Sequence, residues 1–188
     1  CIMTGNLTAG IDWAGDGWLA VVFDDGNYSE CLHKEKILEI LTAVDPDQVL
    51  IDIPIGLPED TASLSPRETL DSQARMFTGR PSSVFPVPSR AAARKAYIGG
   101  SYSVVASQNR SDLQKGLSQP SYYIADTIGE VDVLLKETAE WRQRLIESHP
   151  EVSFRGLLGR ELTHSKHCGP GVGERVQALT TVRNSPGE

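Results

Sequence analysis

The chain is organised around one segment, Val49-Leu50-Ile51-Asp52-Ile53-Pro54-Ile55-Gly56-Leu57-Pro58. Its run of apolar, largely β-branched residues is typical of a β-strand that is buried on both faces, and Pro54 ends the hydrogen-bonding ladder. Because an unpaired buried carboxylate is costly, Asp52 needs a reason to be in this strand. It either caps the next turn or takes part in chemistry at the strand end, where active sites of α/β sheets collect. The segment alone supports the two explanations equally.

The chain before this segment predicts an antiparallel meander followed by a helix. Residues 7–25 predict two strands joined by a Gly-rich turn, residues 28–31 a short third strand, and residues 33–44 an amphipathic helix. A helical crossover normally returns the chain as a parallel strand. We therefore expect Asp12, near the end of the first strand, to lie beside Asp52.

The chain after this segment predicts a helix over residues 65–75. Ser65 is suited to the N-cap position and Pro66 to the first helical position, because a cap accepts a backbone hydrogen bond and proline lacks the N–H that would go unused there. The sequence therefore predicts that this helix begins at Pro66.

Charged residues recur on one face of this helix and in the proline-rich segment that follows it along the chain. Arg67, Asp71 and Arg75 are spaced by four residues, and the simplest interpretation is a solvent-exposed ladder of ion pairs worth a few tenths of a kcal/mol each. The segment 80–90 resembles a surface loop, and its arginines, Arg80 among them, have the chemistry to contact a phosphate backbone.

The second half of the chain predicts helices over residues 91–97 and 122–141. The latter is the longest periodic segment, with a clear apolar face. Its acidic residues Asp126, Glu130 and Asp132 are expected on the solvated side of the helix.

A second strand then leads into a carboxylate. Leu145 and Ile146 predict a short strand, Glu147 follows, and Pro150 ends it, which repeats the arrangement around Asp52. His149 is a ligand, a proton shuttle or an ordinary loop residue, and the last is the commonest role for a histidine in such a position.

Composition limits the class of protein. The chain has 188 residues, a net charge of −7 and a pI of about 5.1, and 39% of its residues are hydrophobic. We expect an N-terminal leader over residues 1–8, one domain over 9–182 and a polar tail over 183–188. With no apolar run of membrane-spanning length and three scattered cysteines, a cytoplasmic location is expected. The negative charge gives no global attraction to nucleic acid, so such a partner would need a local basic patch.

Five motifs occur in one order along the chain and together support a family resemblance. They are Gly10-Ile11-Asp12 with Gly17-Trp18, Ile51–Leu57, the Arg67/Asp71/Arg75 face with Ser83-Val84-Phe85, Ile128–Asp132, and Glu147–Phe154. In this order the chain resembles an uncharacterised family of predicted nucleases with an RNase H-like fold, the domain of unknown function 429. The resemblance runs from about residue 9 to about residue 175.

The resemblance implies an α/β, RNase H-like fold: a mixed five-stranded sheet, with an antiparallel meander plus parallel strands, and helices on both faces. It also implies a metal-dependent nuclease in which Asp12, Asp52 and Glu147 are the catalytic residues and the ligands of Mg²⁺ or Mn²⁺. Arg67, Asp71, Arg75 and Glu151 match family positions to which the resemblance assigns no agreed role. Substrate contacts are expected from Arg67, Arg75 and Arg80, and support of the ligands from Asp71, His149 and Glu151.

Charge repulsion leads to a mechanistic hypothesis for these carboxylates. Two carboxylates about 4 Å apart repel by about 1 kcal/mol in water and by about 4 kcal/mol at an effective dielectric constant of 20, so three converging acids call for a cation. Two ions about 3.5–4 Å apart can activate water and stabilise the leaving oxygen of a phosphodiester. In this hypothesis Asp12 bridges the ions, Asp52 and Glu147 flank them, and Arg75 or Arg80 steadies the substrate phosphate.

A catalytically impaired binding or regulatory module is the alternative. Members of the family resemble one another in a final helix with a pair of aspartates, and this sequence finishes before any such helix. The same sheet topology also serves proteins that bind without catalysis. Metal binding is the property that separates the two hypotheses.

Overall fold

The computed structural model describes residues 6–79 and 83–183. The chain divides into two compact units: unit 1 comprises residues 1–67 and 86–148, and unit 2 comprises residues 68–85 and 149–188. Most of the leader predicted over residues 1–8 and the tail predicted over 183–188 lie outside the described residues, as does Arg80. The division of the chain into leader, domain and tail stays a prediction.

Unit 1 is built on a mixed five-stranded sheet. Its strands are β1 (Leu7–Trp13), β2 (Trp18–Asp24), β3 (Asn27–Lys34), β4 (Gln48–Ile51) and β5 (Leu145–Glu147). They are arranged in the order β3-β2-β1-β4-β5, with β1, β2 and β3 antiparallel and β1, β4 and β5 parallel. The predicted sheet of an antiparallel meander plus parallel strands is therefore confirmed, including the parallel pairing of β1 and β4.

The turn between β1 and β2 depends on a glycine. The Ala14 N–H donates to the Gly17 carbonyl at 2.8 Å and closes the turn. A Cβ atom at Gly17 would lie 2.7 Å from the Lys34 carbonyl oxygen, closer than two such atoms approach each other. Glycine at this position allows the end of β3 to pack against the turn.

The core of unit 1 lies on one face of the sheet. Side chains alternate between the faces of a strand, and every buried strand residue falls on the same face by register. These residues are Ala9, Ile11, Trp18, Ala20, Val22, Val49, Ile51 and Leu145. The apolar residues of the opposite face are exposed, namely Leu19, Phe23, Leu50 and Ile146.

Two predictions about this sheet are therefore wrong for the described residues. β4 is not buried on both faces, since Leu50 is 47% exposed while its neighbours Val49 and Ile51 are fully buried. Helices on both faces of the sheet were also expected, and burial shows that the core covers one face only. An unbroken apolar run is compatible with burial of both faces of a strand, but it does not show that a layer of helices packs on the second face.

Each of the four segments predicted as helical contains helix, but the bounds differ and the described residues form further helices. The helices are α1 (Ile37–Val44), α2 (Thr61–Thr78), α3 (Arg90–Tyr97), α4 (Tyr102–Leu113), α5 (Gln119–Tyr123), α6 (Ala125–Glu137), α7 (Trp141–Arg144), α8 (Pro150–Leu158) and α9 (Gly169–Arg183). The segment predicted as one helix over 122–141 is divided among α5, α6 and α7. None of the helices that the structure describes is both long and apolar enough to cross a membrane.

The start of α2 differs from the prediction. The helix begins at Thr61, so Pro66 lies inside it and Ser65 is not its cap. An upstream pair provides the cap instead: the Asp60 carboxylate accepts the Ser63 N–H at 2.8 Å, and the Ser63 hydroxyl oxygen accepts the Asp60 N–H at 3.0 Å. The hydrogen bond from the Ser63 backbone lowers the pKa of Asp60. This reciprocal arrangement is a capping box with serine in place of glutamate.

Helix α6 buries acids that were expected in solvent. Glu130 is 8% exposed, and its carboxylate accepts the Trp18 Nε1–H at 3.1 Å and the Ile37 N–H at 3.0 Å. Asp132 is also buried and accepts the Arg90 Nε–H at 2.9 Å. The prediction of a solvated acidic face is wrong for these two residues because donors on distant parts of the chain satisfy them.

Unit 2 contains α8, α9 and the last turns of α2. The buried Glu151 carboxylate receives Nε–H and Nη2–H bonds from Arg175 at 2.6–3.0 Å, which joins α8 to α9. Glu174 accepts the hydroxyl and N–H of Thr163 and the N–H of His164. The Thr163 hydroxyl, followed by these backbone donors, holds the pKa of Glu174 well below its usual range.

Candidate functional site

Two aspartates lie side by side at the carboxyl ends of β1 and β4. Ile11 pairs with Ile51 in the parallel register, and Asp12 and Asp52 directly follow this pair. The Asp52 N–H donates to the Ile11 carbonyl at 3.1 Å, which continues the ladder by one residue. Adjacent strands are about 4.8 Å apart, so the two positions are close enough for both carboxylates to reach one ion. The expectation that Asp12 lies beside Asp52 is confirmed.

The surroundings of the two aspartates differ. Asp12 is exposed, and its Oδ1 accepts the N–H of the next residue, Trp13, at 2.8 Å. Asp52 is half-buried and stands between the core residues Ile51 and Ile53. The pair therefore joins one solvent-accessible carboxylate to one that is fixed at the margin of the core.

Glu147 ends the third parallel strand at a different register position. It pairs with Ile51, one residue before the level of Asp12 and Asp52. Because side chains alternate along a strand, Glu147 is on the core-facing side with Ile11 and Ile51, whereas Asp12 is on the opposite face. The sheet thus brings the three predicted carboxylates to one edge but not to one face.

The Glu147 carboxylate is bound by an arginine and a backbone amide. Arg67 donates from Nη2 to Oε1 at 2.7 Å and from Nη1 to Oε2 at 2.6 Å, which is a bidentate pair. The Ile55 N–H also donates to Oε2, at 2.8 Å. Such charge-assisted pairs are stronger and more specific in geometry than neutral hydrogen bonds.

The predicted arginine ladder on α2 is not solvent-exposed. Arg67 is 7% exposed and Asp71 is also buried, so the interpretation as a solvated ion-pair ladder is wrong. In unit 2, the Arg75 Nε–H donates to the Val84 carbonyl at 3.1 Å. Arg80 lies outside the described residues. That Arg67, Arg75 and Arg80 contact substrate stays a prediction.

His149 and Glu151 were expected to support metal ligands, and both have partners inside unit 2. The His149 Nε2 lies 2.9 Å from the Ser83 carbonyl oxygen. Since a carbonyl only accepts, Nε2 carries the proton, and in the neutral ring Nδ1 is the unprotonated nitrogen. Glu151 forms the ion pair with Arg175 described above. Support of a metal site by His149, Glu151 or Asp71 stays a prediction.

The residues at this edge fit a site in which two aspartates hold one hard cation better than the predicted site with three carboxylate ligands. Mg²⁺ is commonly bound through one or two carboxylates together with water, which suits Asp12 and Asp52. Glu147 does not fit as a ligand while both its oxygens are bound to Arg67. Over residues 6–79 and 83–183, no group of three or more His, Cys, Asp and Glu side chains is arranged to hold a metal ion.

The link between Arg67 and Glu147 was missed by sequence reasoning. The two residues are 80 positions apart, and helical spacing identified the face of Arg67 but not its partner. The available signal was that both residues belong to motifs of the same family resemblance, which points to a shared neighbourhood without assigning a contact.

Comparison with known proteins gives a family and no annotated relative. The family model described as Protein of unknown function (DUF429) matches residues 10–187. Searches of curated proteins and of solved structures find no significant match. The family match includes all five strands, apart from the first residues of β1, and each of the carboxylates described above. The chain therefore belongs to the DUF429 family of proteins of unknown function.

Proposed function

We propose that this chain is a metal-dependent nuclease with an RNase H-like fold, which hydrolyses phosphodiester bonds at the edge formed by β1 and β4. One observation carries the proposal: Asp12 and Asp52 occupy neighbouring positions at the ends of two parallel strands. Ligand sites in open α/β sheets collect outside the carboxyl ends of the strands. Two adjacent aspartates at such a place offer the carboxylate oxygens that Mg²⁺ and Mn²⁺ take as ligands.

Asp12 and Asp52 are the residues that would hold Mg²⁺ or Mn²⁺. When bound, such a cation supplies Lewis acidity and lowers the pKa of coordinated water. Asp12, which is exposed, faces the solvent from which a phosphodiester arrives. The Trp13 N–H fixes one oxygen of Asp12, and the ladder bond to Ile11 fixes the backbone of Asp52.

A cleavage assay tests this proposal. The full chain would be incubated with single-stranded RNA, DNA and an RNA–DNA hybrid in Mg²⁺, in Mn²⁺ and in EDTA. We expect metal-dependent cleavage of at least one substrate. Because loss of even an outer partner of a metal ligand costs about 10–100-fold in activity, Asp12→Asn and Asp52→Asn are expected to reduce the rate by at least about 100-fold.

The control for these variants is Asp24→Asn, which removes an exposed carboxylate at the end of β2. Its cleavage rate should match that of the wild-type chain. Cleavage that continues unchanged in Asp12→Asn, or that is equally rapid in EDTA, would contradict the proposal.

A binding or regulatory module is a second candidate, and the pairing of Glu147 favours it. Arg67 neutralises this carboxylate, so the third predicted ligand carries no charge that a cation needs to balance. A module of this kind would keep the same fold and bind a phosphate-bearing partner without hydrolysing it. Binding of an oligonucleotide with no cleavage in either metal would support this candidate over the nuclease.

A further inference from the structure

We propose that Arg67 is a positioning residue, which acts through Glu147 to hold the segment after Asp52 in the geometry that a divalent cation requires. This inference rests on the proposed metal site at Asp12 and Asp52. It changes the predicted roles of both residues: Arg67 does not contact substrate, and Glu147 acts as the anchor of a clamp.

The clamp holds both backbone polar groups of one residue, Ile55. Glu147 Oε2 accepts the Ile55 N–H at 2.8 Å, while Arg67 Nη1 donates to the Ile55 carbonyl at 3.0 Å. Arg67 and Glu147 are themselves joined by their bidentate pair. Both backbone groups of Ile55 are therefore tied to β5 and α2, three residues beyond Asp52.

Apolar anchors limit the movement of the same segment. Ile53 and Leu57 are buried in the core on either side of the clamped residue. Gly56 has a φ of +80°, a conformation that favours glycine, so the chain bends directly after Ile55. With Ile11 holding the Asp52 N–H, the Asp52 segment is fixed at each end and at its middle.

The arginine fork is essential to this arrangement. A guanidinium offers parallel N–H donors to a carboxylate and still reaches a carbonyl, whereas an ammonium group is a compact charge that cannot reproduce the fork. Arg67 is almost completely buried, so water replaces lost donors poorly. We therefore expect lysine to keep the charge at this position while releasing the Ile55 carbonyl and loosening the Glu147 carboxylate that accepts the Ile55 N–H.

The test compares Arg67→Lys with Arg144→Lys in the full chain. Arg144 is a matched control because it also pairs with carboxylates, those of Asp45 and Glu140, each at 2.7 Å. It lies directly before β5, at the end of the strand opposite to Glu147. For each protein we would measure the Mn²⁺ dissociation constant by calorimetry, the exchange rate of the Ile55 amide by NMR, and the thermal midpoint.

Arg67→Lys is expected to raise the Mn²⁺ dissociation constant about 10–100-fold, as loss of a group that orients a metal ligand does, and to speed exchange of the Ile55 amide. Arg144→Lys should leave both quantities unchanged. Glu147→Gln keeps an acceptor for the Ile55 N–H but loses the charge, so it should cause a smaller loss of Mn²⁺ affinity. It is the variant to use in the test if Arg67→Lys does not fold.

A lower thermal midpoint with wild-type Mn²⁺ affinity would overturn the inference, because Arg67 would then stabilise the fold alone. Wild-type Mn²⁺ affinity in Glu147→Gln together with faster exchange at Ile55 would overturn it too. A wild-type chain that binds no Mn²⁺ would overturn the proposed metal site itself, so the two failures are distinguishable.

Discussion

Glu130 shows how one buried residue joins three parts of unit 1. Its carboxylate on α6 accepts hydrogen bonds from the Trp18 indole of β2 and from the first N–H of α1, at Ile37. A helix N-terminus leaves N–H groups without partners inside the helix, and an acid placed there satisfies one of them and favours the helix dipole. Sequence periodicity placed Glu130 in solvent because it describes a single helix, whereas both donors come from other elements.

Replacement of Glu130 should therefore cost far more than replacement of an exposed acid on the same helix. In Glu130→Ala each of the two buried N–H donors loses its acceptor, at about 1–3 kcal/mol apiece. Glu130→Gln keeps one carbonyl oxygen and should cost less. Urea unfolding followed by tryptophan fluorescence measures both, and Glu137→Ala is the control, expected within about 0.5 kcal/mol of wild type. Equal stability of Glu130→Ala and Glu137→Ala would contradict this account of Glu130.

At the scale of the element, β4 shows what an apolar run predicts and what it leaves open. The β-branched composition predicted the strand, and the helical crossover before it predicted the parallel pairing with β1; both are confirmed. The strand ends at Ile51, before the Asp52 and Pro54 positions at which its end was predicted. The composition and the crossover did not predict which side chains are covered. That depends on whether another layer packs on the second face, which is a property of the whole unit and not of the strand.

Leu50 and Ile51 provide a matched pair for the covered and uncovered faces. Both side chains have four carbon atoms, but Ile51 is fully buried and Leu50 is 47% exposed. Ile51→Ala should lower the free energy of unfolding by about 2–5 kcal/mol through the lost burial and the remaining cavity. Leu50→Ala should lower it by about 1 kcal/mol, since half of its surface is already in water. Equal losses in chemical denaturation would show that the second face is covered in solution.

At the scale of the whole molecule, the sequence predicted the meander and the parallel pairing of β1 with β4 better than the environment of the strand ends. The adjacency of Asp12 and Asp52 followed from the crossover rule, because a helix between two strands brings their carboxyl ends to one edge. The position of Glu147 did not follow. Its register differs by one residue, which turns the side chain to the other face, and its partner Arg67 comes from a distant helix.

The central claim is that Asp12 and Asp52 together hold a divalent cation. Calorimetric titration of the full chain with Mn²⁺ tests it most directly, with Asp12→Asn, Asp52→Asn and the control Asp24→Asn. We expect saturable binding by the wild-type chain and by Asp24→Asn, and a loss of binding in each of the other two variants. Absence of Mn²⁺ binding at millimolar concentration in the wild-type chain, or binding that is unchanged in Asp12→Asn, would contradict the claim.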